Sequence, residues 1–239
     1  MRDRQPPDQT EQVFKKDWEA GHEYDIELLK REVVPFLDRL RAENKLGRVI
    51  ADIGCGKFGV SSLVKYPETK IVRVDIAASE EEFNNVRQFK LDLRNIVHPT
   101  IAEKKQLVKT RKWVNTDNVT EKNKPVVDTA ILTAVLNYIP YRVVLPEITK
   151  YVKVGGRLLV FNAPDRGAFT HSQVFSPDRA TNNMQIVHLL EQDLGMDVET
   201  AVFEGMSVEE LAKVSRRSDI GPIIEKGYML LVARKTKEN

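Results

Sequence analysis

Short apolar runs bounded by polar or glycine-containing turns alternate along this chain with stretches whose apolar residues recur every three or four positions. The runs read as strands and the longer stretches as helices. Seven strands are predicted: Val49–Asp52, Ile71–Asp75, Phe89–Asp92, Val126–Thr133, Arg157–Phe161, Asp197–Phe203 and Tyr228–Ala233. Ahead of them, Ile26, Leu29, Val33, Phe36, Leu37 and Leu40 share one helical face behind an N-cap at Asp25. Pro35 should kink or divide that helix, and Gly47 closes it. Val60–Val64 starts a second helix. Pro146 fits the first turn of a third, running to about Val152 and stopped by Gly155-Gly156. Met184, Val187, Leu190 and Leu194 mark a fourth. Ser79–Glu82 and Ser207–Glu210 read as capping boxes, the first for a very short helix and the second for one reaching about Ser215. Residues 1–10 read as disordered, and Gln12–Trp18 as a short helix.

Alternating strands and helices predict an α/β fold, a doubly wound and mostly parallel seven-stranded sheet in a three-layer αβα sandwich. No helix follows the last strand, which should therefore insert antiparallel beside the sixth. Residues 1–46 form a helical extension or lid, and 47–239 the main domain. A segment of about 94–125 breaks the rhythm. From 101 to 125 it carries seven Lys or Arg against three acids, with Trp113 in the middle. It reads as an inserted surface segment, either a solvated face or a contact for an anionic substrate or nucleic acid on which Trp113 stacks.

Composition narrows the class. With 239 residues, 41% hydrophobic and 30% charged, the chain can bury one sizeable core. A net charge of +2 neither demands nor excludes nucleic acid. Cys55 is the one cysteine, so no internal disulfide forms, and a reducing, cytoplasmic setting is expected. The first ten residues are polar and lack the apolar centre of a secretory signal. No run approaches the roughly 18 apolar residues of a membrane span, and no membrane partner is expected. One cysteine and four scattered histidines do not make metal-ligand spacing.

The candidate chemistry collects at the carboxyl ends of the predicted strands, where doubly wound sheets bind ligands. Gly54, Gly56 and Gly59 follow strand 1 in a turn that leads into a helix. By itself this pattern also matches a dinucleotide-binding turn, which keeps a small NAD-binding oxidoreductase among the alternatives. Three acids sharpen it. Asp52 lies two residues before Gly54, and Asp75 and Asp92 end the next two strands.

Asp52-x-Gly54-x-Gly56, followed by Asp75 and Asp92, resembles the class I S-adenosylmethionine-dependent methyltransferases. Val135–Ile139 is similar to their segment after strand 4, Lys153–Val160 to their loop into strand 5, and Tyr228–Ala233 to their reversed last strand. The resemblance spans roughly residues 47–164 and the last strand. It implies S-adenosylmethionine as cofactor, with S-adenosylhomocysteine as product and no metal. Gly54, Cys55 and Gly56 would lie beneath the cofactor, and Asp52 near its ammonium group. Asp75 would hold the ribose hydroxyls, and Asp92 with the Leu93 N–H the adenine edge. Ile76 would pack on the adenine face, and Thr133 and Ala134 would line the methionine arm. Departures are Phe58 one position before Gly59, a short connection from Asp75 to Asp92, and Val154 in place of a proline.

The expected reaction is methyl transfer to O or N of a small-molecule acceptor. The Asn-Pro-Pro-Tyr motif of some amino-group methyltransferases is absent, since the chain has Leu136-Asn-Tyr-Ile-Pro140 there. Catalytic candidates are Asn137, Tyr138 and His171, each with a plainer reading as a cap, a core aromatic and a surface residue. Cys55 reads as a packing residue rather than a nucleophile. His22, His98 and His188 read as structural or exposed, Trp18 and Tyr24 as lid or packing residues, and Arg216-Arg217 as a solvated pair or an anion grip. Two other classes stay open: an RNA methyltransferase using the basic 101–125 segment, and a non-catalytic cofactor-binding protein.

Overall fold

The structure, a computed structural model, describes residues 29–56, 59–76, 78, 80–114, 125–133, 135–137, 139–162, 183–203, 206–207 and 229–237. Nine strands form one sheet: β1 (Val49–Ile53), β2 (Lys70–Asp75), β3 (Glu81–Phe83), β4 (Val86–Lys90), β5 (Val127–Thr133), β6 (Val152–Asn162), β7 (Met196–Phe203), β8 (Met206–Ser207) and β9 (Met229–Lys235). Their order is β3-β4-β2-β1-β5-β6-β9-β7-β8. Strands β4, β2, β1, β5 and β6 pair in parallel. The last strand, β9, runs antiparallel between β6 and β7, as expected. Two strands go beyond the seven expected. Both are short, antiparallel edge pieces, β3 against β4 and β8 against β7.

Helices cover both faces. On one side, α1 (Val34–Ala42) and α2 (Val60–Leu63) pack on Ile50, Ile131, Leu159, Phe161 and Val232. On the other, α3 (Ile101–Val114), α4 (Tyr141–Thr149) and α5 (Asn183–His188) cover Ala51, Val74, Phe89, Leu132 and Val160. Alternate residues of each central strand therefore feed opposite cores, as the pleat requires. A fully buried aliphatic such as Leu37 or Leu159 contributes about 1.5–3 kcal/mol.

Several elements differ from the sequence expectation. The first helix opens with a wide, π-type turn at Leu29–Val33, and Pro35 falls in the first turn of α1. A missing N–H costs little there. Ser79–Glu82 does not open a helix: Glu81–Phe83 is β3, a hairpin partner of β4. Asn84 turns that hairpin at φ +51°, a conformation asparagine tolerates, and β4 begins at Val86 rather than Phe89. Pro146 is the sixth residue of α4, which starts earlier, at Tyr141. Gly155-Gly156 lies within β6 rather than after a helix. Gly155 takes φ +82°, and the pairing of β6 with β5 shifts register there. Ser207 belongs to β8, and the remainder of its expected helix lies outside the described residues.

The largest correction concerns the basic segment. Residues 101–114 are α3, the regular crossover from β4 to β5 rather than a surface insertion. Thr110 and Val114 are buried, and Leu107 and Trp113 pack against the core. Lys70 donates to the Trp113 and Val114 carbonyls at 2.7 and 3.2 Å. Its ammonium also sits over the Trp113 ring, 5.4 Å from the centroid. That ring is a packing group, so it is no exposed platform for a base. Residues 115–124, 1–28 and 208–228, with the readings made on them, lie outside the described residues.

Candidate functional site

The parallel strands reverse their order of addition between β1 and β5, and ligands of doubly wound sheets bind beyond the carboxyl ends of the strands at such a point. The turn after β1 is built by close approach. Gly54 has φ +68° and Gly56 φ +56°. The N–H groups of Gly54 and Cys55 donate to the Val74 carbonyl at 2.7 and 3.3 Å. A Cβ on Gly54 would stand 2.2 Å from Cγ2 of Val135. Only glycine fits both the conformation and the space.

Two of the three predicted carboxylates hold this turn. Asp75, at the end of β2, accepts the Gly56 N–H on Oδ2 at 2.9 Å. Asp52 is fully buried, and its Oδ2 accepts the Ser61 N–H of α2 at 2.9 Å. Gly59 crosses so tightly over it that a Cβ there would lie 2.3 Å from that oxygen. Burial pushes the Asp52 carboxyl up, opposed by the bonds from Ser61 and by the charge of Arg73. Arg73 is its register partner on β2 and donates to Oγ of Ser61 at 2.8 Å. Cys55 is buried and bonded to its own turn, with Sγ 3.3 Å from the Gly56 carbonyl. Burial, and then Asp52 and Asp75, push its thiol up, which suits packing rather than nucleophilic attack.

No protein-family model matches the chain, and no curated protein matches it. Solved structures do. One is the 1,6-didemethyltoxoflavin-N1-methyltransferase of Burkholderia thailandensis, solved with 1,6-didemethyltoxoflavin and S-adenosylhomocysteine. It is 14% identical, with a TM-score of 0.52 over 99% of this chain and 93% of that one. Another is the geranyl diphosphate C-methyltransferase of Streptomyces coelicolor A3(2), solved with Mg2+, geranyl diphosphate and S-adenosylhomocysteine. It is 15% identical, with a TM-score of 0.51 over 89% and 82% of the two chains. The fold is that of the class I S-adenosylmethionine-dependent methyltransferases.

Within that methyltransferase fold, the remaining predicted positions fall as follows. Ile76 is half-buried directly after β2. Asp92 caps the short turn Leu93–Asn95, accepting the Arg94 N–H at 3.0 Å and the Arg94 guanidinium at 2.7 Å. The Asp92 N–H donates to Oε1 of Glu103 at 3.0 Å, and Oε2 of Glu103 takes the Thr100 N–H at 2.7 Å. Leu93 is buried. Thr133 ends β5, and its Oγ1 is buried without a hydrogen-bond partner among the described residues. The same holds for Oδ1 of Asp52. Ala134, Tyr138 and His171 lie outside the described residues, as does the side chain of Asn137, which closes the turn Val135–Asn137.

The structure thus gathers Asp52, Gly54, Cys55, Gly56 and Asp75 on one turn, with Thr133 ending β5, next to β1 in the sheet, and Asp92-Leu93 beyond the end of β4. Asp52 acts on the turn rather than standing in the open. Three supporting groups, Ser61, Arg73 and Glu103, were not singled out from sequence. Arg73 did carry a signal: a charge inside the otherwise apolar Ile71–Val74 run, two positions before Asp75. Among the described residues no group of three His, Cys, Asp or Glu is placed to hold a metal ion. No described helix is long and apolar enough to cross a membrane.

Proposed function

We propose that the chain is a methyltransferase that binds S-adenosylmethionine at the carboxyl ends of β1, β2, β4 and β5 and methylates O or N of a small-molecule acceptor. The observation that carries this reading is the glycine turn at the sheet's switch point, closed by the Asp75 carboxylate on the Gly56 N–H. Two features of the site suit such a cofactor. The unpartnered Oγ1 of Thr133 and Oδ1 of Asp52 leave hydrogen-bonding capacity at or just beneath the ends of neighbouring strands. The Asp75 carboxylate gives the turn a negative field, favourable to a cation.

When bound, S-adenosylmethionine supplies an activated methyl group on a cationic sulfur. The chain's own task is then placement. Asp75 would hold the ribose hydroxyls, a carboxylate being matched to a vicinal diol. Ile76 would cover one adenine face, and Asp92 with the Leu93 N–H its edge. Thr133 and Ala134 would line the methionine arm. Asp52 would keep Gly54–Gly56 in place through Ser61. Orienting a nucleophile in line with the methyl carbon and excluding water can be worth about 7–11 kcal/mol. A general base is required only for an acceptor still protonated at neutral pH; Tyr138 and His171 are the candidates for that role, and Asn137 is a candidate to orient the acceptor.

Calorimetric titration with S-adenosylhomocysteine and with NAD tests the reading. Binding of the first and not the second is expected; the reverse would sink it in favour of a dinucleotide oxidoreductase. Asp75→Ala should weaken S-adenosylhomocysteine at least tenfold, two charge-assisted bonds being worth about 1.5–3 kcal/mol each. Labelled methyl transfer into a cell extract, fractionated by size, should mark small molecules. Label in RNA would move the substrate class, and cofactor binding without any transfer would make this a non-catalytic binding protein.

A further inference from the structure

The outer face of α3 carries a pattern that neither the core nor the methyl-transfer site uses. Thr110 and Val114 of this helix point into the protein, with Gln106, Leu107 and Trp113 half-buried beside them. Its one acid, Glu103, is also turned inward, onto Asp92 and Thr100. Opposite them, Ile101, Lys105, Val108 and Lys112 follow one another at helical spacings of four, three and four, so they form one stripe. Lys104 and Lys109 flank it. All six are exposed, Ile101 at 76% and Val108 at 53%. Val97, in the turn leading to the helix, adds another 45% exposed apolar side chain. Of these four lysines only Lys109 has a carboxylate near it, Glu80 at 3.4 Å. Lys104, Lys105 and Lys112 have no acidic partner among the described residues.

An ordinary solvated helix face mixes both charge signs and keeps its aliphatics inward. This one mixes a single sign with outward aliphatics. We infer that the outer face of α3 docks on an anionic phospholipid surface, its lysines meeting the headgroups and Ile101 and Val108 entering the boundary with the acyl chains. Cationic side chains and branched aliphatics side by side on one exposed face offer such a surface both a charge and an apolar contact. Phosphates of a nucleic acid would use the lysines and leave Ile101 and Val108 in water, and Trp113, the aromatic that stacking would need, is packed inward against the core. A peptide partner would call for a groove, whereas this stripe lies along the outward side of a single helix. Such docking is peripheral and compatible with the absence of a spanning helix among the described residues. It does not depend on the methyltransferase reading.

The test uses the full chain and sedimentation with vesicles. Binding is expected to vesicles of phosphatidylcholine mixed with phosphatidylglycerol, not to phosphatidylcholine alone, and should weaken as salt rises. Lys105→Glu with Lys112→Glu should lower affinity on the order of thirtyfold or more, since each lysine near an anionic surface is worth about fivefold. Ile101→Ser with Val108→Ser should lower it several-fold while leaving the salt dependence unchanged. All four positions are exposed, so unchanged circular dichroism and melting show that each variant is folded. No binding to the anionic vesicles overturns the proposal, as does binding that survives the lysine reversals. Affinity unaffected by the serine pair, with equal binding to poly(U) RNA, also overturns it and makes the face a polyanion site.

Discussion

At Gly54 the chain takes φ +68° while the Val135 side chain occupies the place where a Cβ would project. Gly54→Ala must therefore adopt a left-handed conformation, worth about 1–2 kcal/mol, and displace Val135 as well. The expected outcome is a lower melting temperature and weaker S-adenosylhomocysteine binding. Adding Val135→Ala should recover part of the affinity, because it removes the clash but not the backbone strain. Full recovery would mean that strain at Gly54 is negligible. The glycines, Asp52 and Asp75 were legible as residues because few roles require that spacing at a strand end. Their bonds were not. Asp52 hydrogen-bonds Ser61, nine residues on, and Asp75 hydrogen-bonds Gly56, nineteen residues back. Such partners depend on the path of the turn, which no local pattern states.

Where elements meet, local signals lost to long-range pairing. The sequence Ser79–Glu82 carries a helix-opening pattern, yet Glu81–Phe83 joins the sheet edge as β3, and Glu82 pairs with Arg87 of β4 at 2.8 Å. Cross-strand bonds along an available edge outweigh the capping preference of one short segment. Similarly, α3 looked like an insertion because most of its residues are polar; only the sheet shows which few face inward. Glu103 ties the end of β4 to the start of α3. Burial pushes its carboxyl up, but the Asp92 and Thr100 N–H groups outweigh this and hold it below its ordinary value near 4.5. A carboxyl lowered in the folded state adds stability above that ordinary value and loses it as pH falls through the folded one. Glu103→Gln keeps one acceptor of two, so it should cost on the order of 1 kcal/mol at neutral pH. Its melting-temperature gap from the parent should begin to narrow as pH falls below about 4.5 and close only once the folded carboxyl is protonated. A gap independent of pH would show that Glu103 acts by shape rather than charge.

Taken whole, the molecule separates its tasks to opposite ends of the sheet. The carboxyl end holds the candidate site. The amino end holds a clamp: Asp128 accepts the Arg48 and Val49 N–H groups at 2.9 Å each and pairs with Lys153 at 2.7 Å. Nearby, Thr129 donates to the Leu46 carbonyl and Arg157 to that of Lys45. Asp128→Ala leaves the part-buried Val49 N–H without its acceptor, whereas the exposed Arg48 N–H can turn to water, and should cost about 1–3 kcal/mol of stability by chemical denaturation. The S-adenosylhomocysteine affinity of the folded variant should stay unchanged; a weaker one would show that the two ends are coupled. Alternating periodicity and glycine placement determined the fold class, the succession of the central elements along the chain and the position of the turn, because those depend on near-neighbour spacing and on φ > 0 being open to glycine. The tertiary structure alone decided the two edge strands, the role of α3, the bonds of Asp52, Asp75 and Asp92, and the inward turn of Trp113. Each of these is a competition between groups far apart in sequence, settled by which of them the packed sheet brings within reach.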